Sequence, residues 1–330
     1  MKRINIFLRK KNSVHHHSIE RFAEIISSRI KIDNVNIKII NCPISSNGIF
    51  KRIFLILWGF FRQGDVNHIL GDVNFISLLM KKNKTINTFL DCRLINEFQG
   101  IKKIIYKYFW FIIPIYKSNK CTFISDFTKN EILKFIYLIS DKKFEVIPVP
   151  LVRNFPIKNI SSSNNKVLII GTAEHKNINN MVKATVGLNI DIDIVGDLKE
   201  ETRFFMKKNN IKYRNYVDIS DEKIDFLYKT NAILMMVSKY EGFGMPIVEA
   251  QQSGLAVITS NIEPMKSVAG EGAIFVEPHN IFEIRKAIIK LLEDKDYVTK
   301  LINSGIYNSN RYKDIFVLDK YKKIYQDMLN

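Results

Sequence analysis

The chain reads as an α/β protein made of two doubly wound parallel sheets in tandem, facing a cleft. Three observations predict this class. Short apolar runs alternate with helix-spaced segments along the whole sequence. The alternation is interrupted once, at the polar stretch 154–165 with Pro156 and three consecutive serines from Ser161, and resumes directly after it. A length of 330 residues at 46% hydrophobic supplies two cores.

In the first half, apolar runs at 4–8, 35–40, 68–71, 85–90, 122–125 and 145–147 predict strands. Ile19, Phe22, Ala23, Ile26 and Ile30 recur at helical spacing over 19–30. Further helices are expected at 48–61, 101–116 and 129–136, the last opened by Thr128. In the second half, strands are expected at 167–170, 190–195, near Tyr213, and at 232–237, 255–259 and 273–276. Helices are expected at 178–186, 200–208, 221–228, 281–292 and 316–328. One more begins near Pro246, suited to a first helical turn, and stops before Gly254. The domain reading is 1–153, then 154–308, with 309–330 as a C-terminal helix packing back on the N-terminal domain.

Ligands in doubly wound folds bind beyond the carboxyl ends of strands. Asp91, Ser125, Gly171, Gly196 and Glu241 stand at such ends. The richest segment is Glu241-Gly-Phe-Gly-Met-Pro-Ile-Val-Glu249-Ala, which reads as loop then helix between two buried strands. Its two glycines bare backbone N–H groups before a helix N-terminus, where an anion is stabilised. Glu241 in the loop and Glu249 in the helix add hydroxyl-binding carboxylates. A ligand with both phosphate and hydroxyls, such as a nucleotide-sugar, fits this pattern.

Charge is uneven. Residues 1–150 carry 25 Lys+Arg and 11 Asp+Glu, a net +14; the rest carry 25 and 22, a net +3, and the two sum to +17. A basic N-terminal half implies an anionic partner. Nucleic acid is not expected, because no nucleic-acid-binding motif accompanies the charge. A dehydrogenase is excluded by the lack of a G-x-G-x-x-G after any strand. Cys42, Cys92 and Cys121 match no metal spacing and read as reduced thiols in or near the core of a cytoplasmic protein. Arg9-Lys-Lys11 follows the first apolar run too soon for a secretory signal, and no apolar stretch is long enough to span a bilayer.

Ser238-Lys-Tyr-Glu241-Gly-Phe-Gly-Met-Pro-Ile-Val-Glu249-Ala, followed by Gly254-Leu-Ala-Val-Ile-Thr-Ser-Asn261, resembles the signature of the family-4 retaining glycosyltransferases, also called group 1, of bacterial surface-polysaccharide type. The two glutamates stand at that family's E-x(7)-E spacing. Ile169-Ile-Gly171-Thr172 with Lys176-Asn177-Ile178 resembles its diphosphate loop, and Gly272 to Pro278 its strand after the donor site. Thr122 to Lys129 and Val146-Ile-Pro148 resemble the end of its N-terminal domain. The likeness is strongest over 120–308.

This resemblance implies the GT-B fold, two Rossmann-like domains, and transfer of a hexosyl unit from a nucleoside-diphosphate sugar to a lipid-linked saccharide in polysaccharide assembly of the lipopolysaccharide O-antigen kind. It implies retention and no metal or other cofactor. Donor contacts would come from Gly171, Thr172, Lys176, Asn177, Glu241, Gly242, Phe243, Gly244, Met245 and Glu249, with the backbone of 243–245 holding sugar hydroxyls and Glu249 the ribose. Catalysis would rest on Glu241, Lys176 and Asp91. The plainer reading of Lys176 is a surface lysine, and of Asp91 a structural cap.

The chain departs from the family in places. Thr172 stands where many relatives carry arginine. Leu90 replaces the histidine of a strand-end His-Asp pair, and Ser267 replaces a glutamate. On the acceptor side stand Asp91, His15 and His16, the histidines alternatively belonging to a solvated loop. A nucleotide-sugar epimerase on a similar fold is the competing activity. The basic, apolar helices at 48–62 and 101–117 invite peripheral association with an anionic membrane at the inner face of the plasma membrane; the competing reading makes them plain core helices.

Overall fold

The computed structural model describes residues 1–11, 17–136, 141–151 and 165–330. They form two compact units, Met1–Val152 with Asp314–Asn330, and Arg153–Lys313. Each unit holds one six-stranded sheet, the α/β class expected. The polar stretch at 154–165 lies outside the described residues up to 164, as do His15 and His16.

In the first unit the strands are β1 (Lys2–Leu8), β2 (Val35–Asn41), β3 (Val66–Leu70), β4 (Thr85–Phe89), β5 (Lys120–Phe123) and β6 (Phe144–Val146). They pair in parallel in the order β2-β1-β3-β4-β5-β6. β3 and β4 are buried along their whole length, the condition of a parallel sheet covered on both faces. The helices are α1 (His17–Arg29), α2 (Ile49–Phe60), α3 (Arg93–Glu97), α4 (Gly100–Lys107), α5 (Ile113–Tyr116) and α6 (Asp126–Leu133). A wider π-helical turn, Tyr108–Ile112, joins α4 to α5. Pro114, which has no N–H to give the ladder, stands just beyond it.

The terminal helix Asp314–Leu329 completes this unit. Tyr321 and Tyr325 are fully buried against His68 of β3, with ring centroids 5.4 and 5.8 Å away. His68 Nδ1 lies 2.7 Å from the Tyr325 hydroxyl, and Nε2 lies 2.6 Å from Thr88 Oγ1. Both ring nitrogens are therefore satisfied by neutral groups.

In the second unit the strands are β7 (Lys166–Ile170), β8 (Asp191–Val195), β9 (Tyr213–Tyr216), β10 (Ile233–Met236), β11 (Ala256–Ser260) and β12 (Ile274–Val276). All are parallel, ordered β12-β11-β10-β7-β8-β9, the strand order of dinucleotide-binding sheets. Helices α7 (Ile178–Ala184), α8 (Glu200–Lys208), α9 (Asp221–Thr230), α10 (Met245–Gln252), α11 (Met265–Ala269), α12 (Ile281–Glu293) and α13 (Lys295–Ser309) cover it. Strand side chains alternate between two cores. Val167 and Ile169 join one with Ile192, Ile258 and Ile288; Leu168 joins the other with Leu234, Val257 and Ile247. Asp193 of β8 is buried but held by Arg214 at 2.8 and 3.2 Å and by the Asn231 amide at 2.9 Å, so its charge is compensated.

Three departures from the sequence reading have local causes. α6 begins at Asp126, not after Thr128, because Ser125 Oγ accepts the Thr128 N–H at 3.1 Å and caps the helix a turn earlier. α3 and α11 are too short to show a period in sequence. α13 was not expected because its packing face uses Gly305 and Asn308 as well as Leu301 and Ile302. A Cβ on Gly272 would fall 2.4 Å from the Gly305 Cα, so position 272 needs glycine for backbone to approach backbone, and a Cβ on Gly305 would press on Gln251 Cγ at 3.0 Å. The second unit accordingly runs on to Lys313.

Burial lowers the His68 pKa from 6.5 to about 3. The native state keeps the ring neutral while the unfolded chain takes up a proton below 6.5. Stability should therefore fall as pH drops from 6.5 towards 3, by up to about 1.4 kcal/mol per pH unit. Urea unfolding at pH 7 and pH 5, compared between wild type and His68→Gln, measures this. The variant should lose that part of the pH dependence, and equal slopes would count against it.

Candidate functional site

The strand order of the second unit reverses between β7 and β10, so the connections leaving these two neighbours run apart and open a crevice at their carboxyl ends. β7 ends at Ile170 and the chain turns at Gly171, whose φ is +94°. The Gly171 N–H donates to the Val195 carbonyl at 2.8 Å. A short turn, Glu174–Lys176, leads to Asn177 in the left-handed region, φ 62°, at the start of α7. The aliphatic stem of Lys176 then folds back over Gly171. A Cβ there would lie 3.0–3.3 Å from the Lys176 Cε, Cγ and Cδ. Glycine is thus required twice, for the turn and for the lysine that covers it.

That fold-back carries the Lys176 ammonium to Glu241, donating to Oε1 at 2.6 Å. The lysine side chain is 19% exposed and the carboxylate 11%. An exposed ion pair contributes about 0–1 kcal/mol, but here removal of either partner strands a charge largely out of water. Backbone bonds hold the two loops together. Lys239 N–H donates to the His175 carbonyl at 2.7 Å. The buried Asn177 amide donates to the carbonyls of Val237 at 3.0 Å and Pro278 at 2.6 Å. Asn177, expected to touch a donor, uses its side chain to join the ends of β7, β10 and β12.

Gly242 to Met245 lead into α10. Gly244 precedes it with φ +103°, and a Cβ there would stand 3.1 Å from Ile247 Cδ1. Phe243 is buried edge-on to Tyr312, centroids 5.4 Å apart, and Tyr312 in turn donates to the Val268 carbonyl at 3.2 Å. The ring anchors the loop. Glu249 follows on the second turn of α10. The fully buried Tyr228 donates its hydroxyl to Glu249 Oε2 at 2.7 Å. Thr172 rests on Gly196, where a Cβ would meet its Oγ1 at 2.7 Å.

The structure therefore brings Gly171, Lys176, Asn177 and Glu241 together, with Gly244 just before and Met245 and Glu249 on the helix that follows. Two contributors escaped the sequence reading. Tyr228 lies far from Glu249 in sequence and has no local signature. Gly196 was read only as a strand end, although its role is to make room for Thr172. In the first unit, Asp91 is exposed and its Oδ1 accepts the Arg93 N–H at 3.1 Å, at the start of α3.

What the site can do follows from its parts. A cation beside a glycine turn and a helix N-terminus stabilise anionic oxygens. Two carboxylates accept hydroxyl hydrogens. Replacing Gly171 by Ala should force a strained φ and push Lys176 away from Glu241, costing about 1–3 kcal/mol. Denaturant unfolding of Gly171→Ala measures this; a stability equal to wild type would show that the turn relaxes freely.

Residues 153–307 match the family described as glycosyl transferases group 1. The chain is 26% identical over 201 residues to O-antigen chain mannosyltransferase B of Escherichia coli, covering 53% of this chain and 51% of that protein. It thus spans about half the length of that curated relative. A glycosyltransferase from Rickettsia africae superposes with a TM-score of 0.75 at 17% identity, over 100% of this chain and 99% of that one. An Anabaena protein crystallised with UDP and glucose gives 0.75 at 12% identity, over 99% and 100%. At these identities the superpositions establish the fold, which is GT-B.

Proposed function

We propose that this chain transfers a hexosyl unit from a nucleoside-diphosphate sugar to a saccharide acceptor, with retention, in the assembly of a cell-surface polysaccharide. The observation that carries the reading is the Lys176–Glu241 pair at the β7/β10 crevice, beside the start of α10. The E. coli relative, by its name an O-antigen mannosyltransferase, supports the reaction class, and the Anabaena neighbour with UDP and glucose supports the donor class.

Before donor arrives, Lys176 and Glu241 neutralise one another. The donor separates their tasks. Its diphosphate takes Lys176 and the N–H groups at the start of α10. Its sugar hydroxyls take Glu241 and the backbone of Phe243, Gly244 and Met245. Gly171 and Thr172 border the diphosphate. Glu249, oriented by Tyr228, accepts from the ribose hydroxyls. As the glycosidic bond breaks, charge grows on the leaving diphosphate, and Lys176 with the positive end of the α10 dipole stabilises it without a metal. Attack comes from the face the diphosphate leaves, and no enzyme nucleophile is used. Asp91 serves the acceptor side of the reaction. The acceptor is anionic and lipid-linked, and it is met in the cytoplasm at the inner face of the plasma membrane.

Donor binding and chemistry can be separated. In a thermal-shift panel of nucleotide-sugars, one donor should raise the wild-type melting temperature. Glu249→Ala should lose most of that rise, and Tyr228→Phe part of it, about 0.5–1.5 kcal/mol of affinity. Glu241→Ala should stay folded and lose transfer. No shift with any nucleotide-sugar would overturn the reading, as would an epimerised donor formed in the absence of acceptor. A glycosyl-enzyme adduct in mass spectrometry would overturn the direct route alone.

A further inference from the structure

Most exposed large apolar side chains among the described residues lie on two stretches of the first unit, α2 with Phe61 and the helical run from α4 through α5. α2 is docked by its smallest face. Only Leu55 and Gly59 are buried, and a Cβ on Gly59 would lie 2.3 Å from Ile76 Cγ2, so the glycine permits the close approach. Helical periodicity then turns Phe50, Phe54, Leu57 and Phe61 to the opposite side, where a water-facing helix would carry polar groups. Phe50 is 85% exposed and Phe61 80%. On the second stretch Ile101, Ile105 and Tyr108 are exposed in the same way. The two stretches touch: the Arg52 guanidinium sits 4.7 Å from the Trp110 ring centroid.

The charges carried by these two stretches themselves have one sign. Residues 42–64 contain Lys51, Arg52 and Arg62 and no Asp or Glu. Residues 98–119 contain Lys102, Lys103, Lys107 and Lys117 and again no Asp or Glu. A contiguous apolar patch of this kind marks an interaction surface. We propose that α2 and the α4–α5 run form a docking face for an anionic lipid surface, with the aromatic and isoleucine side chains entering the headgroup region and the lysines meeting lipid phosphates. A second copy of this chain fits poorly, because an isologous pair would set these lysines against themselves. Among the described residues no helix is long and apolar enough to cross a membrane. The face is distinct from the donor site and follows from its own composition, although it also suits the acceptor proposed above.

Vesicle flotation of the full chain tests this with no sugar, acceptor or nucleotide present, so its outcome is independent of the transfer reading. Mixed phosphatidylcholine–phosphatidylglycerol vesicles should carry the chain, phosphatidylcholine alone should not, and added salt should release it. K102Q/K103Q/K107Q should weaken binding about a hundredfold, at roughly fivefold per lysine. F50S/F54S/F61S should abolish it while keeping the wild-type melting temperature. If F50S/F54S/F61S unfolds, the lysine variant alone decides. The proposal is overturned by failure to bind the mixed vesicles, by equal binding to both vesicle types, or by undiminished binding of the folded variants. It is also overturned if sedimentation velocity shows a dimer that the serine variant dissolves.

Discussion

The geometry of the second unit depends on one ion pair and the sheet that permits it. A parallel sheet whose strand order reverses must send neighbouring connections apart. In this chain the reversal lies between β7 and β10, and the two loops it separates are rejoined across the gap by Lys176 and Glu241. Gly171 lets the lysine stem lie flat, Asn177 and Lys239 tie the loop backbones, and Phe243 against Tyr312 fixes the entry to α10. The pair stands where a diphosphate and its sugar would need opposite charges a few ångströms apart.

The first unit solves a different problem. Its sheet is closed by the terminal helix, whose tyrosines complete a buried polar cluster around His68. That helix lies far from β3 in sequence, yet its Tyr321 and Tyr325 are fully buried in the core of this unit. The basic excess also belongs to this unit. Met1–Val152 with Asp314–Asn330 carries 28 Lys+Arg and 14 Asp+Glu, a net +14 against +3 elsewhere. Much of the excess borders apolar side chains that are exposed among the described residues. Cys42 and Cys121, by contrast, are buried in the same unit and their thiols pushed up to about 12, which makes them packing groups without nucleophilic character at neutral pH.

Much was legible in sequence because the physics there is local. Strands such as β7 and β10 are short, continuous apolar runs, which only a doubly covered sheet accommodates. α8 is bounded in sequence as in space, with acidic residues in its first turn and lysines in its last. α13 was missed because its apolar pattern is diluted by residues chosen for close approach, and the cap of α6 was misplaced because Ser125 and Thr128 both suit the role. Asn177 was legible as part of a loop motif, but which of its groups are already used depends on carbonyls of Val237 and Pro278, far along the chain.

The sequence by itself determined the α/β class, the division of charge between the halves, and the segments that carry chemistry. Each of these depends on residue type and short-range spacing. Only the tertiary structure decided that Lys176 meets Glu241, that Tyr228 orients Glu249, and that the outward side of α2 is apolar and bare. Those outcomes depend on which strands become neighbours and which helix face is docked, and such long-range pairings leave no trace in local periodicity.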